Sequence, residues 1–193
     1  HGLLRRQRQM CIRDRLDTDK DSKKAAELAI ANQLKASPEY TKEVALQTLL
    51  LHRAGNQGRL SVLRNLRWLV KAQIKDGPDA GSWSYRQEPV GERGDGANFA
   101  YALLALAVAA PSDEEEAEEQ VVPTEVWQRA QDWLIKNQNT DGGWGYVRQT
   151  GRSTGAMTAC ALTGLQALAK RLEKSAARDA VINRGKAWLL SLI

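Results

Sequence analysis

Few residues in this chain have types and spacings that could do chemistry. Asp95 lies in Gly94-Asp95-Gly96, just ahead of a long apolar stretch. A carboxylate there can accept hydrogen bonds from the free N–H groups of a helix start. Held protonated by its neighbours, it could instead act as a general acid. The capping reading takes precedence. Tyr85 and Tyr146 recur in Trp83-Ser84-Tyr85 and Trp144-Gly145-Tyr146. Such rings can face an apolar or cationic ligand, or they can complete a structural clamp. Cys160, within Met157-Thr158-Ala159-Cys160-Ala161-Leu162, reads as a small core residue. His52 falls on a polar helix end, and no zinc spacing links it to Cys160. The expectation is no metal and no cofactor.

Composition narrows the classes further. The chain has 193 residues, 42% hydrophobic and 26% charged, which suits one globular domain. The formal net charge is +5. Five arginines against Asp14 place +4 of that in residues 1–15, so the remainder carries +1 with no basic stripe in sequence. Nucleic-acid binding is therefore not expected. The longest apolar stretch, Ala97 to Ala110, is too short to span a bilayer. Compartment stays open.

The two ends read as foreign text. Arg5 to Asp14 back-translates as CGT CGG CAG CGT CAG ATG TGT ATA AGA GAC, which resembles a transposase adapter. Leu190-Ser191-Leu192-Ile193 fits the reverse complement of the same adapter. On this expectation residues 1–15 and 190–193 are artefactual. The domain is 16–189, and the rest of its own chain is missing.

The elements that must position the chemistry are helical. Asp21 or Ser22 can cap a helix to Ala36. Ser37-Pro38-Glu39 reads as the entry to a second, carrying Val44, Ala45, Leu46, Leu49 and Leu50 and ending near Gly55. Ser61 can cap a third. A fourth, Gly96 to Ala110, is apolar almost all round and should be buried. The acidic run Ser112 to Gln120 reads as a solvated connection. Thr124 can cap a fifth helix to Gln138, a sixth spans Thr154 to Leu172, and a seventh starts at Ser175. Alternating strand patterns are absent.

A repeat organises these helices. Arg64, Trp68, Gln73 and Trp83 match Arg129, Trp133, Gln138 and Trp144, with glycines Gly81 and Gly142-Gly143 before the second Trp. A third unit begins at Arg184 and Trp188. The anchor tryptophans lie 65 and 55 residues apart. The repeat places Gln at 193, where Ile193 stands. Each Gln is expected to donate to orphan carbonyls of its own helix end, with the following Trp lying over its amide. The whole reads as a clamp between helical hairpins, without catalytic role.

These residues resemble the QW motif of squalene and oxidosqualene cyclases: Arg129-Ala130, Trp133-Leu134, Gln138, Gly142 and Trp144. Asp141 to Tyr146 with Ser153 to Ala159 looks like the wider prenyltransferase/squalene-oxidase repeat group, especially bacterial members of unassigned activity. The resemblance covers about Arg64 to Leu189 and implies an all-α, α/α-toroid fold. Helices near 22–36, 61–75, 124–138 and 178–189 would be outer; those near 38–54, 96–110 and 154–172 would be inner.

Family cavities are built at inner-helix starts, which implies Tyr85, Asp95, Asn98, Tyr101, Tyr146, Arg152, Ser153, Thr154, Met157 and Thr158 as lining. The Asp-x-Asp-Asp acid of the cyclases is absent, and Asp17-Thr18-Asp19-Lys20-Asp21 has the wrong spacing. The Asp, Cys and His zinc site of the protein prenyltransferases is absent too. Two expectations remain. One is triterpene-type isoprenoid cyclisation with its acid outside this stretch. The other is a noncatalytic toroid for binding or scaffolding. The implied partner is an isoprenoid or other apolar small molecule.

Overall fold

The computed structural model describes residues 20–87, 93–111, 121–148 and 152–192. The adapter-like residues 1–15, the acidic run 112–120 and Ile193 lie outside them. The chain divides into two compact units, residues 1–37 and 38–193. In the first, Lys20–Lys35 forms α1.

The second unit is built from six α-helices among the described residues: α2 (Thr41–Arg53), α3 (Arg59–Ala72), α4 (Gly96–Ala109), α5 (Thr124–Lys136), α6 (Gly155–Leu168) and α7 (Ala176–Leu190). No strand occurs among them, only an isolated bridge between Gln73 and Trp83. The protein is all-α, as its periodicity predicts.

Two layers result. α2, α4 and α6 pack side by side, α2 on α4 and α4 on α6. α3, α5 and α7 cover them: α3 packs on α2, α7 on α6, and α5 on the following α6 while Trp133 stacks on Phe99 of α4. Burial follows the helical period. α5 buries Val126, Trp127, Ala130, Trp133 and Leu134, spaced as one face of a 3.6-residue helix. α4 buries Phe99, Ala102, Leu103, Ala105, Leu106 and Ala109 because it has neighbours on most sides. α4 ends where Ala110 turns extended before Pro111, as the residue preceding proline should.

Three helices start where the sequence places them, each capped by a side chain. Asp95 accepts from Ala97 N and Asn98 N. Thr154 Oγ1 accepts from Met157 N, and Ser175 Oγ from Arg178 N. Other starts differ. α2 begins at Thr41 with Tyr40 as its cap residue, so Ser37-Pro38-Glu39 precedes the helix instead of opening it. Thr41 N donates to Tyr85 O across the fold, which fixes the start by tertiary contact. Ser61 lies inside α3, whose cap is Gly58, and Pro123 rather than Thr124 caps α5. α2 also presents a rotated face. Leu46 is 45% exposed, while Gln47 and Thr48 are buried. Gln47 is held there by Asn65 Nδ2 donating to its Oε1 at 2.8 Å, a buried polar pair between α2 and α3.

Candidate functional site

The repeated residues form a clamp with a different wiring from the one expected. Gln73 Nε2 donates to Gly81 O at 3.1 Å and to Val126 O at 3.0 Å. Its Oε1 accepts from Arg129 Nε at 3.0 Å. Gln138 Nε2 donates to Gly142 O at 2.8 Å and Val181 O at 2.9 Å, and Arg184 Nε donates to its Oε1 at 2.9 Å. Each glutamine thus joins its own loop to the first turns of the next outer helix. The orphan carbonyls near its own helix end fall to the tryptophans. Trp83 Nε1 donates to Leu69 O and Trp144 Nε1 to Leu134 O. The expectation that each glutamine donates to its own helix end is corrected accordingly: the tryptophan N–H takes that role.

The anchor tryptophans complete the wiring. Trp133 Nε1 lies 3.5 Å from Asp79 Oδ1, and the Trp188 indole donates to Asp141. Asp141 also accepts from Ser153 Oγ and Gly143 N. Ser153 is the strongest of these donors, and together they hold its carboxyl below the usual value. Trp133 is buried, stacked on Phe99 at 4.6 Å, with Trp83 edge-on to the same ring at 5.7 Å. Trp68 and Trp188 are only half-buried. Gly81 and Gly142 have φ of +94° and +95°, and a Cβ on Gly81 would meet Arg129 O at 2.0 Å.

The inferred lining residues separate into three groups. Ser153 and Thr158 are buried in the clamp, Thr158 Oγ1 accepting from Trp144 N. Thr154 is the cap of α6, and Arg152 is exposed. None of these four lines the groove between α4 and α6.

Tyr101 and Met157 line a groove of about 490 Å³ between α4 and α6. Its walls are Ala97, Ala100, Leu103 and Leu104 from α4 and Ala159, Cys160, Thr163 and Gly164 from α6. Lys42 Nζ sits 5.1 Å from the Tyr101 ring centre at its edge. Leu104 and Val108 remain 41% and 47% exposed on α4. Burial raises the Cys160 thiol above its ordinary value. Sequence reading assigned Cys160 to the core; it is half-buried at the groove.

Tyr85, Asp95, Asn98 and Tyr146 form the third group. Asp95 is buried, its Oδ1 taken by the first N–H groups of α4 and its Oδ2 accepting from Asn98 Nδ2 at 2.7 Å. Tyr146 O accepts from Gly96 N, as Tyr85 O accepts from Thr41 N. The Tyr146 hydroxyl is pushed up to about 12, first by its hydrogen bond with Tyr85, then by burial and by Asp95. Asp95 is a cap, as preferred above, with its lone pairs already engaged.

A second groove, about 580 Å³, lies on the outer layer between α3 and α5. It gathers Arg67, Lys71, Lys75 and Arg129 around Glu125. Arg67, Lys71 and Lys75 recur every four residues in one segment, and only Arg129 joins them from a distant helix. Among the described residues no group of three His, Cys, Asp or Glu could hold a metal, and no helix is long and apolar enough to cross a membrane.

No protein-family model matches the chain, and no curated protein matches it at a significant level.

Proposed function

We propose that this chain belongs to an α/α toroid of the squalene-cyclase and prenyltransferase repeat kind, whose inner layer holds an apolar small molecule of isoprenoid type. The carrying observation is the groove between α4 and α6, about 490 Å³ and walled by alanine, leucine, methionine and glycine. That volume is within the usual range for small-molecule sites. The uncovered Leu104 and Val108 extend the apolar surface along α4. The clamp recurs from α3 to α5 and from α5 to α7, and that repetition supports the toroid reading.

A second reading, a noncatalytic binding toroid, is favoured by one observation. Asp95, the carboxylate at the start of α4, is committed to capping and to Asn98. On this reading the described residues bind and do not protonate.

Cys160 supplies the test, because it lines the groove. Alkylation of its thiol is followed by the mass of the Cys160 peptide, with and without squalene, and the squalene is recovered for product analysis. Protection several-fold above the control, lost in Ala159→Trp, is the expected result. Protection without product selects the binding reading. Unchanged alkylation at saturating squalene overturns an isoprenoid site.

A further inference from the structure

The outer groove between α3 and α5 concentrates charge that its own helices do not balance. Residues 16–193 carry +1 in total. The groove, about 580 Å³, nevertheless gathers Arg67, Lys71, Lys75 and Arg129, with Glu125 as the lone acid in its lining. Arg67 and Lys71 stand about one turn apart on α3, and Lys75 follows just past its end. Like charges at that spacing repel. Between Arg59 and Ala72, α3 has no Asp or Glu to answer them.

Arg129 is held in place from the other wall. Its Nε donates to the buried Gln73 at 3.0 Å. Among the described residues, neither terminal nitrogen of Arg129 has a partner. The equivalent Arg184 differs, since its Nε and one terminal nitrogen both donate to Gln138 Oε1. The first clamp therefore fixes the Arg129 guanidinium and leaves its terminal nitrogens to a ligand. A fixed planar fork suits phosphate oxygens, and lysines add charge without demanding geometry. α5 also begins at this groove. Pro123, Glu125 and Val126 line it, and no side chain caps that helix start. The amide end of α5 adds partial positive charge to the cations.

We propose that this groove binds a small polyanion, an oligophosphate matched to the net +3 of its four cations and one carboxylate. The volume suits a small molecule. None of its lining residues is shared with the apolar groove between α4 and α6, so the two sites stand or fall separately.

The test titrates tripolyphosphate and orthophosphate into the whole chain by calorimetry, without divalent cations and at low salt, where such attraction is least screened. Tripolyphosphate is expected to bind about tenfold tighter than orthophosphate. Lys71→Gln with Lys75→Gln, both exposed and outside the clamp, should weaken it roughly three- to tenfold. Arg129→Lys, which keeps the charge and loses the fork, should do the same. If that variant fails to fold, the lysine pair carries the test. Glu125→Gln should tighten binding several-fold, whereas Glu43→Gln, the same charge change on exposed α2 surface, should not. Arg5→Gln with Arg6→Gln, in the basic stretch 1–15, controls for non-specific attraction and should leave binding unchanged. Binding lost in that control but kept in the groove variants overturns the proposal. So does an equal response to Glu125→Gln and Glu43→Gln, or no binding at all. Binding that appears only after Asp113 and the five glutamates of 113–119 are changed to Asn and Gln overturns it too, because the groove then answers to its own chain and not to a free ligand.

Discussion

At the residue scale the two complete clamps carry a compensating exchange. Ser82 faces Gly94, and Gly143 faces Ser153. A Cβ on Gly94 would lie 2.4 Å from Ser82 Oγ, and a Cβ on Gly143 would lie 2.6 Å from Ser153 Cβ. Each loop has room for one serine and demands glycine opposite. Ser82 Oγ is buried with no hydrogen-bond partner, whereas Ser153 Oγ donates to Asp141. Gly94→Ser should therefore destabilise by about 1–3 kcal/mol through overpacking. Adding Ser82→Gly should restore most of it, a coupling read by a double-mutant cycle in urea. Independent, additive effects would show that the two positions do not compete for the same space. Nothing in sequence spacing pairs residues 82 and 94, although both are small and both border a clamp.

Helices gain their arrangement from ends more than from faces. Gln73 reaches 53 residues ahead to Val126 O, and Gln138 reaches 43 ahead to Val181 O. The glutamine lies just beyond one outer helix and its partners in the first turns of the next. Gln73 is buried, so Gln73→Leu leaves Gly81 O, Val126 O and Arg129 Nε short of a partner together. The expected loss is about 2–4 kcal/mol in chemical denaturation, above the loss for the part-buried Gln138. Equal losses at both positions would mean that burial is not what gives the clamp its strength. Arg171 plays a related part on the inner layer. Its guanidinium donates to Pro111 O, Ala110 O and Ala107 O, filling orphan carbonyls at the end of α4. The repeat marks the glutamines in the sequence, whereas Arg171 reads as an ordinary polar position until the partner helix is in place.

Across the whole of unit 38–193, one aromatic group joins the successive hairpins. Phe99 stacks on Trp133 of the following helix and meets Trp83 of the loop before it. Phe99→Ala should cost about 3–5 kcal/mol. It should also lower cooperativity, because repeat proteins are held by the interface between neighbours. Coincident circular-dichroism and tryptophan-fluorescence transitions in the variant would argue against that second effect. The inner groove, also bounded by α4, should lose Cys160 protection in the same variant.

Helix number, the all-α class, the cap at Asp95 and the helix starts near Thr154 and Ser175 were determined by the sequence alone. Their causes are local: apolar spacing and a side chain reaching two or three residues ahead. The period of the clamp was equally legible, since Trp, Gln and Gly recur in the same order. Only the tertiary structure decided what those residues bond to, which way α2 turns its face, and how the Tyr85 and Tyr146 carbonyls meet Thr41 N and Gly96 N. It also brought Arg129 beside Arg67, Lys71 and Lys75 in one groove. Each of these joins groups far apart in the chain. Their pairing depends on how neighbouring hairpins are offset, and that offset is a property of packed layers that no single segment contains.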